Sequence, residues 1–259
     1  MRAREGDFPW WLVAAAALIG GAYIAVMLDD GARQVLLTLR RGVWVTILVT
    51  VVAFVAASAV GLGLALMSLS NSVILRQVSR FYVEIVRGIP ILVLLLYVAF
   101  VLAPVLVAGW NRTGLPQIGM RDFPLLWRAV TALVIAYSAF IAEVFRAGLQ
   151  SVDRGQIEAA QALGLKRWHR FRHVVMPQAI RTILPPLGND FIALVKDSSL
   201  VSVVGVLDIA QLGKVTAAGN FRYFETYNIV ALLYLTMTIL LSLGLRRLER
   251  RMGVFHKRG

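Results

Sequence analysis

His169 and His173 stand four residues apart, a spacing at which two imidazoles on one helix can share a metal ion. No carboxylate or thiolate accompanies them nearby to complete a ligand set, and the third histidine, His256, lies far along the chain. The chain has no cysteine, hence no thiol nucleophile or thiolate site. It also lacks a His-Glu-x-x-His motif and a Gly-x-Ser-x-Gly elbow, and Gly213-Lys214 is followed by Val215 without the spacing of a phosphate-binding loop. These absences point away from catalysis within the chain. What remains are charges in apolar surroundings. Glu84 with Arg87, and Glu143 with Arg146, are each three positions apart and can pair on a helix face, neutralising one another at a membrane edge. Lys196 and Asp197 are costlier, at about 2.5–3.5 kcal/mol each if unpaired in mid-bilayer, so they should face a bundle interior or cavity. Together with Tyr137, Ser138 and Glu143 they are candidates to line a pathway or close a gate. A solute carrying both a carboxylate and an ammonium would need such partners, and so would a purely structural lock.

The elements that hold these residues are set by composition. Of the residues, 59% are hydrophobic and 16% charged, and the mean hydropathy is +0.74. Such values describe an integral membrane protein. Helical crossing needs roughly 20 apolar residues. Runs of that kind read at Trp10–Leu28, Gly42–Met67, Ile91–Gly109, Leu125–Val144, Leu187–Leu207 and Tyr227–Leu245. The expectation is therefore an all-α, polytopic membrane helical bundle of six transmembrane helices, the fifth entered through the polar residues Asn189, Asp190, Lys196 and Asp197. The first run is longer than a typical signal core and is read as a retained helix. The net charge of +13 is compatible with phosphate binding, but its distribution argues for topology instead. With both termini in the cytoplasm, eighteen Lys and Arg fall on the inner side and eight on the outer. The basic tail Arg246-Arg247-Leu-Glu-Arg250-Arg251 reads as an anchor in anionic lipid headgroups, and no nucleic-acid partner is expected. Ala53, Ala57, Gly61 and Ala65 place a small residue at every fourth position of the second span, which permits close helix approach.

The segment 146–186 is too long for a bare connector. Asp153 followed by Gln156 resembles a capping box, and Gly164 is placed to close the helix in a left-handed cap. Ile157, Ala160 and Leu163 share one face of this short helix, Glu158 and Gln161 another. A second helix follows with Trp168, Phe171, Val174 and Val175 at helical spacing, and Pro177 is expected to end it. Both could lie in the headgroups as an amphipathic in-plane element. Ala159 and Ala160, however, offer little to bury in lipid and suit close approach to a protein groove.

Here the spacing becomes specific. Glu158-Ala159-Ala160, three residues, Gly164, nine residues, Val174, one residue, Met176 and Pro177 resemble the cytoplasmic Glu-Ala-Ala loop of bacterial ABC importer permeases. The stretches from Tyr82 to Pro90, Ala139 to Gly148 and Leu187 to Leu200 resemble permeases for polar amino acids of the histidine, glutamine, glutamate and arginine type. The resemblance implies a type I permease core of five helices over residues 34–250, preceded by a tail and an extra helix in 1–33 and followed by a basic tail in 251–259, with the loop at 151–177. It implies transport without catalysis or a cofactor in this chain, ATP and Mg being bound by a partner. It also implies two ATPase subunits, a second permease chain of the same or homologous sequence, an external solute-binding protein, and residence in the bacterial cytoplasmic membrane. By the same resemblance Glu158, Ala159, Ala160, Leu163, Gly164 and Pro177 form the ATPase-coupling element. Two other readings remain open: a permease for another small solute in the same class, or an ion-coupled secondary transporter, for which no internal repeat is visible.

Overall fold

The structure, a computed structural model, describes residues 10–252; the basic residues Arg2 and Arg4, His256 and most of the 251–259 tail lie outside the described residues. Among the described residues the secondary structure is helical, joined by short loops, and five helices are long and apolar enough to cross a membrane. Helix α1 (Trp10–Leu28) buries no residue and is joined to α2 (Asp30–Ser68) through Asp29 alone. Asp29 caps α2, its carboxylate accepting from the N–H groups of Gly31 at 2.7 Å and Ala32 at 3.2 Å. Those bonds, helped by Arg222, hold its carboxyl below the usual carboxylate range.

Helix α2 is much longer than the run from Gly42 to Met67. Its 39 residues span about 58 Å, against a hydrocarbon core of about 30 Å. Arg33, Arg40 and Arg41 interrupt the hydropathy without interrupting the helix, because arginine is a good helix former. Helix α3 (Val73–Gly88) is a shorter amphipathic piece that ends before Pro90. Helix α4 (Ile91–Tyr97) then widens into a π segment at Val98–Leu102 and continues as α5 (Ala103–Asn111). The next crossing is α6 (Leu125–Gln150), followed by the loop helices α7 (Arg154–Ala162) and α8 (Arg167–Arg170). A second π segment, Phe171–Val175, leads into α9 (Met176–Asp197).

Pro177 does not end the preceding helix, contrary to expectation; it sits in the first turn of α9 and the chain stays helical through it. The same arrangement occurs at Pro104, in the first turn of α5. A proline lacks its own N–H and its ring crowds the carbonyl four residues back. In both places that carbonyl belongs to a π segment, where the wider turn accommodates the ring.

The expected fifth span is also corrected. Leu187–Leu207 is not one helix: α9 stops at Asp197, tightens into a 3₁₀ segment at Ser198–Val204, and turns at Gly205 with φ +87°. It is not among the five helices that qualify by length and apolarity. Helix α10 (Ile209–Asn220) and α11 (Tyr223–Arg251) complete the chain. Of the six expected spans, five are met by helices that qualify among the described residues, and the fifth, expected to have a polar entrance, is a broken and more polar helix.

The main core joins α2, α4, α6 and the end of α9. Val49, Ala53 and Ala57 of α2 lie with Leu133 and Ile141 of α6 in one fully enclosed cluster. A second cluster gathers Leu39 of α2, Ile209 of α10 and Ile229 of α11. A third, at the C-terminal end of α6, gathers Val152, Ala179 and Ile183. Helix α1 leans on the second cluster through Tyr23 and Val26.

Gly42 lets α2 meet the chain that enters α10. A Cβ at Gly42 would stand 2.6 Å from the backbone nitrogen of Ile209 and 2.8 Å from the Asp208 carbonyl oxygen, whereas one at Gly63 would meet nothing within 4 Å. Gly42→Ala should therefore destabilise the chain by about 1–3 kcal/mol through overpacking, while Gly63→Ala should not. Thermal melts of the two variants in detergent check this; equal melting temperatures would show that the approach is not tight.

Candidate functional site

The loop helix α7 is rigidly built. Asp153 accepts from the N–H of Gln156 at 3.2 Å, opening the helix as the spacing predicts. The Gln156 side chain does not reach back to complete a box; its Oε1 accepts from Gln178 Nε2 and so ties α7 to the first turns of α9. At the other end Gly164 takes φ +75°. Its N–H donates to Gln161 at 2.9 Å, and that of Leu165 to Ala160 at 3.1 Å, the two bonds of a Schellman closure. Arg170 donates to Gln161 Oε1 at 3.1 Å, fastening α8 to α7.

One face of α7 is docked on its own chain. Ala160 is buried, and Ile157 packs on the cluster of Val152, Ala179 and Ile183 between the C-terminal end of α6 and the first half of α9. Leu163 does not share that face. It lies just past the helix end and is 82% exposed, because the chain has already begun its turn toward Gly164. Glu158 and Ala159 are exposed as well. The result is an outward surface of Glu158, Ala159 and Leu163 on a helix that is fixed from behind.

The candidate pathway residues fall into separate settings. Tyr137 of α6 donates to Asp197 Oδ2 at 2.7 Å, at the point where α9 breaks. Asp197 and Lys196 are thus at the far end of α9 rather than at its entrance. They also diverge: Asp197 is partly buried and Lys196 exposed, as neighbours about 100° apart on a helix must be. Ser138 is fully buried, its Oγ 2.8 Å from the Tyr82 hydroxyl and donating to the Ile135 carbonyl at 2.9 Å. Glu143 and Arg146 form a two-pronged ion pair, at 3.1 and 2.6 Å. Glu84 and Arg87 form no ion pair, since the three pairs among the described residues are Arg146–Glu143, Arg222–Asp29 and Arg222–Glu225. The Arg87 guanidinium stands instead over the Phe140 ring, 5.7 Å from its centroid.

A further polar group escaped the sequence reading. Asp208 is fully buried and caps α10 by accepting from Gln211 N–H at 2.8 Å, while its other oxygen accepts from the Tyr234 hydroxyl at 2.9 Å. The N–H of Ile209 donates to Thr46 Oγ1 at 3.4 Å. Asp208 followed by Gln211 has the same capping signal as Asp153 followed by Gln156, and it would have marked the start of α10. Tyr234 carried no signal, being one hydroxyl inside an apolar run. Asp190, in α9, has a buried Oδ2 with no hydrogen-bond partner among the described residues. Among those residues no group of three His, Cys, Asp or Glu side chains is placed to hold a metal ion. His169 and His173 are simply stacked, with ring centroids 6.1 Å apart.

Residues 57–254 match the family described as binding-protein-dependent transport system inner membrane component. The chain belongs to that family. It is 36% identical over 218 residues to a probable amino-acid permease protein, YxeN, of Bacillus subtilis (strain 168), covering 83% of this chain and 92% of the relative. It is 36% identical over 216 residues to the glutamine transport system permease protein GlnP of Escherichia coli (strain K12), covering 83% and 93%. Among solved structures it is similar to an amino acid ABC transporter crystallised with histidines, at 38% identity and a TM-score of 0.70, covering 83% of this chain and 94% of that one. The protein is thus an inner-membrane permease component of an ABC importer, a non-catalytic subunit whose family works with a separate ATPase and a solute-binding protein. Helix α1 and roughly the first two thirds of α2, residues 30–56, lie outside the family match.

The hydrogen bond from Tyr137 to Asp197 links α6 to the break in α9. Tyr137→Phe removes the donor while leaving a partly buried carboxylate, a loss of about 1.5–3 kcal/mol for a bond to a charged group. The permease should melt at lower temperature as Tyr137→Phe, and Asp197→Asn should recover part of that loss in the double variant. Additive losses in the double variant would show that the two groups do not act as a pair.

Proposed function

We propose that this permease imports polar amino acids, driven by ATP hydrolysis in two partner ATPase subunits and fed by a binding protein on the outer side. The substrate class is supported by the relatives whose names specify amino-acid or glutamine transport. A second permease chain, identical or homologous, completes the pathway in this reading. Both termini face the cytoplasm, as the excess of Lys and Arg on that side favours. The five long helices and the broken α9 together make six crossings, with 1–33 as an added tail and helix, 34–250 as the permease domain and 251–259 as a basic tail.

The observation that carries the coupling role is the two-sided build of α7. Ile157 and Ala160 seat it on the inner ends of α6 and α9, while Glu158, Ala159 and Leu163 face away from the chain. A helix made this way passes a push from outside directly into two pore helices. The exposed carboxylate of Glu158 suits a basic residue of the ATPase, and the small Ala159 lets the docking groove come close. Gly164 and Pro177 hold the geometry by a positive φ and by the π segment that precedes α9. Tyr137, Ser138, Glu143, Lys196 and Asp197 are proposed to line or gate the pathway. The Glu143–Arg146 pair and the neighbouring Glu84 and Arg87 set its cytoplasmic end.

Glu158→Lys reverses the proposed docking charge, and Gly164→Asp forces a side chain into the left-handed region. Both variants should insert and assemble normally yet stimulate ATP hydrolysis at least about 10-fold less than wild type, equivalent to roughly 1.4 kcal/mol of lost coupling. ATPase assays of the reconstituted complex, with and without the liganded binding protein, measure this. Wild-type stimulation in both variants would overturn the coupling role of α7.

A further inference from the structure

Helix α3 has three distinct faces. Ser79, Val83 and Val86 are buried against the bundle. Ile74, Val78, Phe81 and Ile85, at spacings of four, three and four, form an exposed apolar stripe. Arg76, Arg80, Glu84 and Arg87, at spacings of four, four and three, form an exposed charged stripe on the remaining side. That charged stripe borders a cleft of about 420 Å³ between the end of α2, α3 and the inner part of α6, whose far wall carries Glu143 and Arg146.

The charges in this cleft do not balance. Glu143 is already claimed by Arg146. Glu84 is the one remaining carboxylate on the cleft wall, which it shares with Arg76, Arg80 and Arg87. None of these three guanidinium groups is in an ion pair among the described residues. Arg76 is held in place by neutral groups, donating to the carbonyls of Ser70 at 2.8 Å and Asn71 at 2.9 Å, so its position is fixed while its charge is not neutralised. Arg87 rests on the Phe140 ring. Charges at a membrane edge ordinarily find partners, and the planar fork of arginine matches phosphate oxygens in pairs.

We propose that this cleft binds a phosphate group, with Arg76, Arg80 and Arg87 as its ligands. The apolar stripe beside the cleft is suited to acyl chains, so an anionic phospholipid of the leaflet next to α3 satisfies both faces of the helix at once. A phosphate-bearing solute satisfies the charged face alone. The inference rests on the proposed orientation only in assigning that leaflet to the cytoplasmic side, and it does not depend on ATPase coupling.

Native mass spectrometry of the full-length chain, purified without its partners, tests it with phosphatidylglycerol, phosphatidylcholine and inorganic phosphate as probes. Wild type should retain phosphatidylglycerol over phosphatidylcholine by about 10-fold, equivalent to roughly 1.4 kcal/mol. The double variant Arg80→Gln with Arg87→Gln should show no preference, and Arg80→Lys with Arg87→Lys should keep part of it. Melting temperatures of each variant separate lost binding from lost folding, and the wild-type lipid comparison stands by itself if the Gln variant does not fold. Millimolar inorganic phosphate raising the wild-type melting temperature, without any lipid preference, would assign the site to a free anion. Equal retention of both lipids by wild type with no effect of phosphate would overturn the proposal. So would an unchanged preference in the folded Gln variant.

Discussion

The bundle depends on how closely α2 and α6 can approach. In a bilayer there is little hydrophobic force between helices, since lipid tails are as apolar as leucine, and association rests on packing and on interhelical hydrogen bonds. Ala53 and Ala57 are completely enclosed at this seam, and a Cβ at Gly61 would come within 3.0 Å of both Ile141 and the Ser138 carbonyl. With α2 pressed on one side of α6, the other sides of α6 are assigned. Ser138 turns its hydroxyl toward Tyr82 of α3, and Tyr137 turns toward α9. Gly148 sits where any side chain would run into Ile183 of α9. Helix α6 thereby fixes where the pathway candidates and the seat of α7 lie relative to one another.

The break in α9 is the second constraint, and it follows from hydrogen-bond accounting. In hydrocarbon every backbone polar group needs a partner within the protein, so a helix can stop at depth only where substitutes are supplied. Here Ser198 donates to the Val195 carbonyl at 2.7 Å and Ser199 to that of Lys196 at 2.7 Å. Beyond Gly205, Asp208 caps α10 and is itself met by Tyr234, and Thr46 of α2 accepts from Ile209 N–H. The interruption is stable because three other helices contribute polar side chains to it: Tyr137 from α6, Thr46 from α2 and Tyr234 from α11. Asp190 stands apart, with a buried oxygen that nothing among the described residues satisfies.

Much of this was legible because the signals are local. The bounds of α1 follow from hydropathy alone, and Asp153, Gln156 and Gly164 announced α7 and its closure through backbone preferences that hold in any context. Ala53 to Ala65 announced the close seam. What failed to show was non-local. Nothing near Arg87 says that Phe140 will take the place of Glu84 beneath its guanidinium, since that contact joins α3 to α6. Pro177 looked like a stop because a proline's conflict with its helix is local, whereas its accommodation by a π turn is decided by how α8 and α9 are held together. Periodicity groups Leu163 with Ile157 and Ala160 on one face, but periodicity does not know where a helix ends, and Leu163 falls just past the end of α7.

Helix α1 shows what the same forces do at the margin of the family fold. It lies outside the matched residues, buries nothing, and meets the bundle through Tyr23 against Thr236 at 3.3 Å and through Trp11 beneath Arg246 at 5.1 Å. Its position is set instead by the single-residue link at Asp29, which ends one helix, caps the next and pairs with Arg222 just ahead of α11. One carboxylate therefore fixes three chain segments at the end of the bundle where α1 meets α2. The backbone N–H groups of Ala32 and Gly31 favour its charged form and hold its carboxyl below the usual carboxylate range, so the capping bonds and the charge support one another at this junction. An added crossing can be held this way without a core of its own, because a bilayer already stabilises the helix and the protein has only to fix where it enters.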